Sequence, residues 1–441
     1  MQRKILAALL ATGVFAAAPT VHAGTVTVIT SFPKELTTAY KKAFEAANPG
    51  ITIEILNKNT TASVAYIREL PEGQRPDVMW ASAPDAFEVL ASYKLLQSAP
   101  EVINKNAPAK IGSYPLNDPK GMYYGQALAG YGIEWNTRYL KANKLAAPKE
   151  WTDLVKPEYF GHIAISSPSR SGTTQLTVET ILQGEGWDKG WSLLLQMMGN
   201  AAAVTDRSFA VPDGVNNGQY GIGIVIDFLA LAGKYSGYPV DFTYPTMTAV
   251  VPANIALVAG AKNADEAKKF MAYTMSVPGQ QLLFDPKIAR LPILPYSELK
   301  PPAGYPVPQD IAKRAKVQFN TELSGERYPV VISLFDQMIT FRLKELQAAT
   351  KAIQEATAAL KAKPNTRGNE LLAQARSLAY TPLVGAENVK NKEFLELFRK
   401  SRRDVAVAKE LTGMEQLWSD KARANYDRAR QLATEARGLA K

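Results

Sequence analysis

The fold is decided near the start of the chain by residues 25–55, TVTVITSFPKELTTAYKKAFEAANPGITIEI. Residues 25–30 are mostly β-branched and predict a strand. A helical pattern follows from about residue 34 to 47 and stops at Asn48-Pro49-Gly50, and residues 51–55 predict a second strand. A strand, a helix and a strand in this order are typical of a parallel sheet that is covered by helices.

The same alternation of apolar strands and helical segments continues to about residue 300, which predicts an α/β protein with a mainly parallel sheet. The other predicted strands are residues 77–80, 163–166, 222–226 and 249–251. Open sheets of this kind bind ligands outside the carboxyl ends of their strands. We therefore expect the small polar residues that follow these strands to share one site.

The chain after about residue 330 has a different composition. It contains only two prolines, Pro364 and Pro382, and long runs of Ala, Leu, Glu, Lys and Arg, which predict several helices. An apolar stripe at helical spacing begins with Leu334, Met338 and Phe341. Either these helices pack on the α/β body, or they form a separate arm that binds a partner.

The composition excludes several classes of site. The chain has 441 residues, of which 46% are hydrophobic, and this is enough for two or three domains. It has no Cys, so disulfides, thiolate metal sites and Cys nucleophiles are excluded. The two His are His22 and His162, and no motif of a known hydrolase occurs. We expect a binding protein without a cofactor rather than an enzyme; the enzyme alternative is an exported hydrolase that depends on His162.

Residues 1–23 have the pattern of a secretory signal peptide, with two basic residues, a short apolar run and small residues before Gly24. We expect cleavage at Gly24 and export to the periplasm. The apolar run is too short to span a bilayer as a finished anchor, so we expect no stable membrane insertion. The alternative is an uncleaved N-terminal anchor.

The positive charge of the chain is concentrated in its C-terminal part. The formal net charge is +10, and residues 331–441 hold 20 basic and 13 acidic residues. Basic and acidic side chains alternate there on predicted helices, which is typical of solvated faces. No series of stacking aromatics accompanies them, so nucleic acid is not an expected partner. A weak attraction to an acidic partner or an anionic surface is the more useful expectation.

Residues 166–174, SSPSRSGTT, follow a predicted strand and precede a predicted helix. Free N–H groups at the helix start, several hydroxyls and the guanidinium of Arg170 would converge on a phosphate, a phosphonate or a carboxylate. Alternatively, Ser171 or Thr173 only caps the helix. Arg170 favours the anion site, because a cation beside the positive end of a helix is unfavourable unless an anion is present.

Several short motifs carry a resemblance through their order and spacing. They are WTDL at 151–154, PEYFG at 157–161, ISSP at 165–168, SGT at 171–173, VPANIA at 251–256 and GAKN at 260–263. Together they resemble the signature of periplasmic solute-binding proteins of ABC transporters, in the branch that binds iron(III), phosphonates and organophosphates. The resemblance covers about residues 24–300.

This resemblance implies a type II periplasmic-binding fold, in which two α/β lobes are joined by two crossing strands and close on the ligand. It places the crossings at residues 130–136 and 248–252. Lobe one would then consist of residues 24–131 and 252–330, and lobe two of residues 132–251. Residues 331–441 would form a helical C-terminal extension.

The resemblance also implies a set of ligand contacts on both lobes. They are Ser31, Thr60, Thr61, Trp80 and Ser82 in lobe one, and Ser169, Arg170, Ser171, Gly172, Thr173, Arg207, Ser208 and Asp227 in lobe two. For Thr60, Thr61 and Asp227 the alternative is a helix cap, and for Trp80 it is ordinary core packing.

The iron-binding members of this branch hold the metal through two adjacent tyrosines just past a Gly-x-Gly strand. The corresponding residues 225–229 here are VIDFL, so this ligand set is missing. The alternative ferric set is Tyr123, Tyr124 and Asp227, which is thin for hard Fe(III). We therefore expect no metal and a small anionic ligand, namely an organophosphate such as phosphoglycerate or a sugar phosphate, or a phosphonate.

The extension after residue 330 separates the chain from the shorter iron binders and is similar to a member of the branch that works with a sensor kinase. The resemblance therefore implies one of two partners for the closed protein, an ABC permease or the periplasmic domain of a sensor kinase. We expect the protein itself to be a monomer.

Overall fold

The computed structural model of the protein describes residues 24–401 and 404–441, so the predicted signal peptide at 1–23 lies outside the described residues. Its strands are β1 Gly24–Thr30, β2 Ile51–Asn57, β3 Val78–Ala81, β4 Leu96–Gln97, β5 Lys110–Ile111, β6 Tyr114–Pro115, β7 Tyr124–Asn136, β8 Ile163–Ser166, β9 Ala201–Thr205, β10 Ile222–Ile226, β11 Val240–Thr243, β12 Val250–Val258 and β13 Leu291–Pro292. Its α-helices are α1 Lys34–Ala47, α2 Thr60–Glu69, α3 Pro84–Ser92, α4 Thr137–Asn143, α5 Gly172–Glu185, α6 Trp187–Gly199, α7 Ala210–Asn216, α8 Asp227–Tyr235, α9 Ala264–Met275, α10 Val277–Gln281, α11 Pro308–Arg314, α12 Thr321–Phe335, α13 Leu343–Ala362, α14 Thr366–Tyr380, α15 Lys392–Lys400 and α16 Val405–Gly438.

The main sheet has the strand order β2-β1-β3-β12-β7-β10-β8-β9. Strand β1 is parallel to β2 and β3, and β8 is parallel to β9 and β10. The long strands β7 and β12 run antiparallel to their neighbours. The sheet is therefore mixed, with a parallel group of strands on each side of an antiparallel centre.

Strand β7 passes from one half of the sheet to the other. Gly130 pairs with Val250 of β12, whereas the next residue, Tyr131, pairs with Ile226 of β10. The apolar side chains accordingly form two large clusters, one mainly from residues 26–131 and 249–328, and one mainly from residues 133–224 and 330–436. We call the two halves lobe one and lobe two.

The C-terminal helices belong to the core of lobe two. Leu346, Ile353, Leu371 and Tyr426 are buried in the same cluster as the strands and helices of that lobe. The predicted helical extension is therefore present and packs on the α/β body rather than forming a separate arm. Within the residues that the structure describes, no helix is both long enough and apolar enough to cross a membrane.

Three helices that matter for the site start at asparagine or serine caps. The side chains of Asn59, Ser171 and Asn320 each accept a hydrogen bond from a backbone N–H in the first turn of α2, α5 and α12. Such caps satisfy N–H groups that the helix itself leaves without partners. They fix where these helices begin at the boundary between the lobes.

Candidate functional site

The two lobes touch where the carboxyl ends of their parallel strands face each other. Gly172 at the start of α5 in lobe two lies against Thr60 and Ala83 of lobe one. A Cβ atom at position 172 would be 2.7 Å from Thr60 Oγ1 and 2.8 Å from Ala83 Cβ, so only glycine allows this approach. Phe228 of lobe two also joins the apolar cluster of lobe one. The two lobes are therefore in direct contact beside the start of α5.

A groove of about 950 Å³ opens beside this contact and is lined by both lobes. Lobe one contributes Phe32 and Asn57, and lobe two contributes Phe209 and Leu229. At its edge the guanidinium of Arg207 donates a hydrogen bond of 3.1 Å to Asn57 Oδ1 across the lobes and lies over the ring of Phe209. Arg207 thus lies at the boundary between the lobes, and its role as a ligand contact stays a prediction.

The predicted anion loop uses most of its polar groups within the protein. Ser171 Oγ accepts the N–H of Thr174, which is the helix-cap alternative, and Ser169 and Ser167 share a hydrogen bond of 2.6 Å. Arg170 Nη1 is 2.8 Å from Asp206 Oδ1, and one third of the Arg170 side chain is exposed. Arg170 therefore already has an anionic partner in this form.

Residues of lobe one that the sequence assigned to the ligand lie around the start of α2. Thr60 is buried and donates a hydrogen bond of 3.2 Å to Ser31 Oγ, and the hydroxyl of Thr61 is 3.4 Å from that of Tyr328. Ser31 and Thr60 are thus together at the interlobe contact, while Thr61 faces α12. Ser208 lies between Arg207 and α7, and its role as a ligand contact stays a prediction.

Arg290 is the residue that sequence reasoning missed. Its guanidinium is fully buried between the rings of Phe32 in lobe one and Phe228 in lobe two, at 4.4 and 4.3 Å from their centroids. Nη2 donates a hydrogen bond of 2.6 Å to Ser82 Oγ. Nε and Nη1 have no partner among the described residues. Burial lowers the pKa of Arg290 to about 10, so the group is charged at neutral pH.

A charged guanidinium with unpaired donors is expensive to bury unless an anion compensates it. Its planar donors suit a carboxylate or phosphate, which can accept two parallel hydrogen bonds. The sequence offers one weak signal for this position. Arg290 stands alone within the apolar run of residues 288–294, IARLPIL, where a solvated cation is not expected.

Asp227 is engaged with the hinge. It is fully buried at the start of α8, and its Oδ2 accepts hydrogen bonds from the N–H of Gly130 at 2.8 Å and the hydroxyl of Tyr244 at 3.0 Å. Its Oδ1 accepts the N–H of Phe228 at 2.7 Å. Burial raises the pKa of Asp227 to about 7, although these bonds and the charge of Arg290 oppose the rise. Asp227 therefore ties α8 to β7 where that strand changes lobes.

The hydroxyl of Tyr131 lies at the same crossing and has no hydrogen-bond partner among the described residues. The side chain is fully buried, and burial raises its pKa well above the ordinary value. The negative charges of Asp85 and Asp227 raise this pKa further, and the charge of Arg290 opposes the rise. Tyr131 thus provides a neutral hydroxyl where β7 crosses between the lobes.

Trp80 is placed in the core of lobe one rather than on the surface of the cleft. Its Nε1 donates a hydrogen bond of 3.2 Å to Gln126, and its ring packs edge-on against Phe32 and Tyr40 at 5.1 and 5.0 Å. Its indole is thus fully used in packing, which corresponds to the core alternative.

The alternative ferric set is not assembled in this structure. The hydroxyl of Tyr123 donates to Glu88 Oε1 at 2.5 Å, whereas that of Tyr124 donates to Gly121 O at 2.6 Å. Tyr123 lies just before β7 and Tyr124 is its first residue, and their hydroxyls bind different groups, while Asp227 is bound to the hinge. Across residues 24–401 and 404–441, no group of three or more His, Asp or Glu side chains is arranged to hold a metal ion.

Comparisons with known proteins agree with this architecture. The phosphoglycerate transport regulatory protein PgtC of Salmonella typhimurium is 30% identical over 372 residues, which cover 84% of this chain and 88% of the relative. One similar solved structure is the periplasmic binding protein AfuA of Actinobacillus pleuropneumoniae with fructose 6-phosphate bound. It superposes with a TM-score of 0.63 at 20% sequence identity, and the match covers 72% of this chain and 99% of the AfuA chain. The ferric binding protein of Campylobacter jejuni gives a TM-score of 0.57 at 15% identity over 71% of this chain and 98% of its own.

These structural likenesses confirm the predicted fold class, a two-lobed periplasmic-binding fold with a helical C-terminal extension. Residues 74–312 match the family described as bacterial extracellular solute-binding protein. This match covers more than half of the chain, and the similarity to PgtC extends over most of its length. The chain therefore belongs to the bacterial extracellular solute-binding protein family.

Proposed function

We propose that the protein captures a small anionic organophosphate, such as a sugar phosphate or phosphoglycerate, or a phosphonate, between its two lobes. The observation that carries this proposal is the buried guanidinium of Arg290, whose Nε and Nη1 have no partner among the described residues. The phosphate group would accept hydrogen bonds from these two atoms. Arg290 thereby takes the role that the sequence assigned to Arg170.

Other residues at the crossing would complete the site. Ser82 holds Arg290 through Nη2, so it positions the guanidinium from lobe one. Tyr131 would offer its free hydroxyl to the same ligand. Phe228 and Asp227 approach from lobe two, so the environment of Arg290 is complete only when the lobes are closed.

The names of two similar proteins support a phosphorylated ligand. One is called a phosphoglycerate transport regulatory protein, and the other holds fructose 6-phosphate in its structure. Both ligands carry a phosphate group on a hydroxylated organic part. A buried guanidinium and a neutral phenol hydroxyl suit that combination.

The test is calorimetric titration of the mature protein with 3-phosphoglycerate, fructose 6-phosphate, 2-aminoethylphosphonate, inorganic phosphate and ferric citrate. For an organophosphate that binds, Arg290→Ala should weaken binding about 10- to 150-fold, the equivalent of roughly 1.5–3 kcal/mol for a charged hydrogen bond. Arg170→Ala is the matched control and should leave Kd within about twofold, because Arg170 is paired with Asp206.

Three results would contradict the proposal. They are the absence of binding to every organophosphate and phosphonate, a preference for ferric citrate, and an effect of Arg170→Ala as large as that of Arg290→Ala. The melting temperature of each variant should be measured as well, so that a loss of folding is not taken for a loss of binding.

We further propose that the mature chain starts at Gly24 in the periplasm and delivers its ligand to an ABC permease or reports it to a sensor kinase. Gly24 already lies in β1, where its N–H donates to Gly50 O at 3.2 Å, so a chain cut there keeps its first strand. N-terminal sequencing of the exported protein tests the cleavage. Deletion of residues 331–441 cannot separate the two partners, because those helices form part of the lobe-two core.

A further inference from the structure

Helix α12 lies where the chain crosses between the lobes for a third time. Before it, the N–H groups of Lys316 and Val317 donate to Thr246 O and Thr248 O at 2.9 and 3.1 Å, beside the second crossing. The helix then continues into lobe two and leads to the C-terminal extension. Its residues contact both lobes.

The C-terminal half of α12 is embedded in lobe two. Val330, Val331, Leu334 and Phe335 are fully buried in the lobe-two core. Just before them, Arg327 forms a buried ion pair with Glu179 of α5, with Nη2 and Nε both 2.8 Å from a carboxylate oxygen. Removing one partner of such a pair is strongly destabilising. Both Arg327 and the C-terminal half are therefore anchored in lobe two.

The N-terminal half of α12 rests on α3 of lobe one through polar contacts. Ser324 Oγ donates a hydrogen bond of 2.9 Å to Asp85 Oδ2, and a Cβ atom at Gly325 would be 3.1 Å from Glu88 Cβ. Cavities of about 310 and 470 Å³ flank this contact and are lined by residues of both helices. Ser324 and Asp85 are fully buried, and Tyr328 of the same half belongs to the lobe-one core, so this half of α12 packs closely on lobe one.

A weak point separates the two halves. Pro329 lies inside the helix and has no N–H, so the carbonyl of Gly325 loses its regular helical partner four residues on. Such a position is where helices bend. It falls two residues after Arg327, whose ion pair already fixes the first half of the helix to lobe two, and directly before Val330, which is buried in lobe two.

We propose that α12 is a closure-dependent clasp, whose N-terminal half binds α3 when the lobes close on a ligand and separates from it when they open. This inference rests on the proposed ligand-binding function. The other half of α12 is continuous with the C-terminal extension. Ligand binding in the cleft would therefore change the position of α3 relative to that extension. The closed form thus presents an α3–α12 surface that the open form lacks.

The test uses the absence of native cysteine in this chain. The variant Glu88→Cys/Gly325→Cys places two Cβ atoms close to the separation that a disulfide needs. The ligand for this test is 3-phosphoglycerate or fructose 6-phosphate, whichever raises the melting temperature of the wild type. The rate of disulfide formation in oxidised glutathione is then measured on the mature variant with and without that ligand. The clasp predicts at least a fivefold faster rate with ligand. An equal rate would overturn it.

A pair of serine variants on the same helix provides a second test. Ser324→Ala removes the bond to Asp85 in lobe one, whereas Ser333→Ala removes a bond of 2.6 Å to Glu415 within lobe two. The clasp predicts about fivefold weaker ligand binding for Ser324→Ala and an unchanged Kd for Ser333→Ala. Equal effects of the two substitutions would mean that α12 has only a structural role.

Failure of the proposed function gives a different result. If neither organophosphate raises the melting temperature, the ligand assignment is wrong, and the clasp is judged on the ligand-free protein by small-angle scattering. The oxidised double-cysteine variant should then have a smaller radius of gyration than its reduced form. Identical radii would overturn the clasp, and the single-cysteine variants control for the oxidant.

Discussion

Asp227→Asn should flatten the pH dependence of stability, because a buried carboxyl is replaced by a group that does not titrate. Asp227 is fully buried, and burial raises its pKa from the ordinary 3.8 to about 7. The folded protein therefore holds this proton more tightly than the unfolded chain does. The amide keeps the size of the side chain and loses part of its capacity to accept the hydrogen bonds of Gly130 and Tyr244.

The sign and size follow from linkage. A carboxyl with a raised folded-state pKa contributes stability that is fully present below about pH 4 and is lost as the pH rises through about 7. A rise of about three pH units corresponds to roughly 4 kcal/mol at 1.36 kcal/mol per unit. The free energy of unfolding of the wild type should thus fall by roughly 4 kcal/mol relative to that of Asp227→Asn between pH 4 and pH 8.

Urea unfolding at five pH values between 4 and 8 measures this difference, and the slopes of the transitions are compared to verify two-state behaviour. Asp206→Asn is the control, because Asp206 is 90% exposed. Parallel curves of stability against pH for the wild type and Asp227→Asn would refute the reasoning. They would mean that the hydrogen bonds to Gly130 and Tyr244 keep Asp227 ionised at all these values.

Two further substitutions test the packing between and within the lobes. Gly172→Ala should weaken organophosphate binding at least tenfold in calorimetry, while the melting temperature falls little. The reason is that the new Cβ atom would meet Thr60 and Ala83 only in the closed form. An unchanged affinity would mean that the lobes close without this contact. Leu346→Ala should lower the free energy of unfolding by about 2–5 kcal/mol in a single urea transition, because Leu346 is fully buried in the core of lobe two. A separate early transition would show that the C-terminal extension unfolds on its own.

The sequence predicted the elements whose signals are local. The strand at residues 25–30 and the helix that follows it depend on side chains within a few positions, and both are found as β1 and α1. The helical extension was also visible, because Ala, Leu and Glu favour helices regardless of their neighbours in space. The sequence leaves open what these helices pack against, since an apolar stripe does not identify its partner.

The sequence could not rank the arginines of the site. Arg170 stands in a loop with a recognisable pattern, and Arg290 stands in a short apolar run without one. In the folded protein Arg170 meets Asp206, whereas Arg290 is enclosed by Phe32 and Phe228, which are 196 positions apart in the chain. Burial and charge compensation depend on such distant residues, so neither can be derived from a motif.

The sequence by itself determined the α/β alternation, the family resemblance and the classes of chemistry that are absent without cysteine. Tertiary structure alone decided that Asp227 binds the hinge, that Arg290 is the buried cation, and that α12 contacts both lobes. The physical reason is the range of the forces involved. Propensity and periodicity act within a few residues, whereas desolvation, ion pairing and close contact act between residues that only the complete fold brings together.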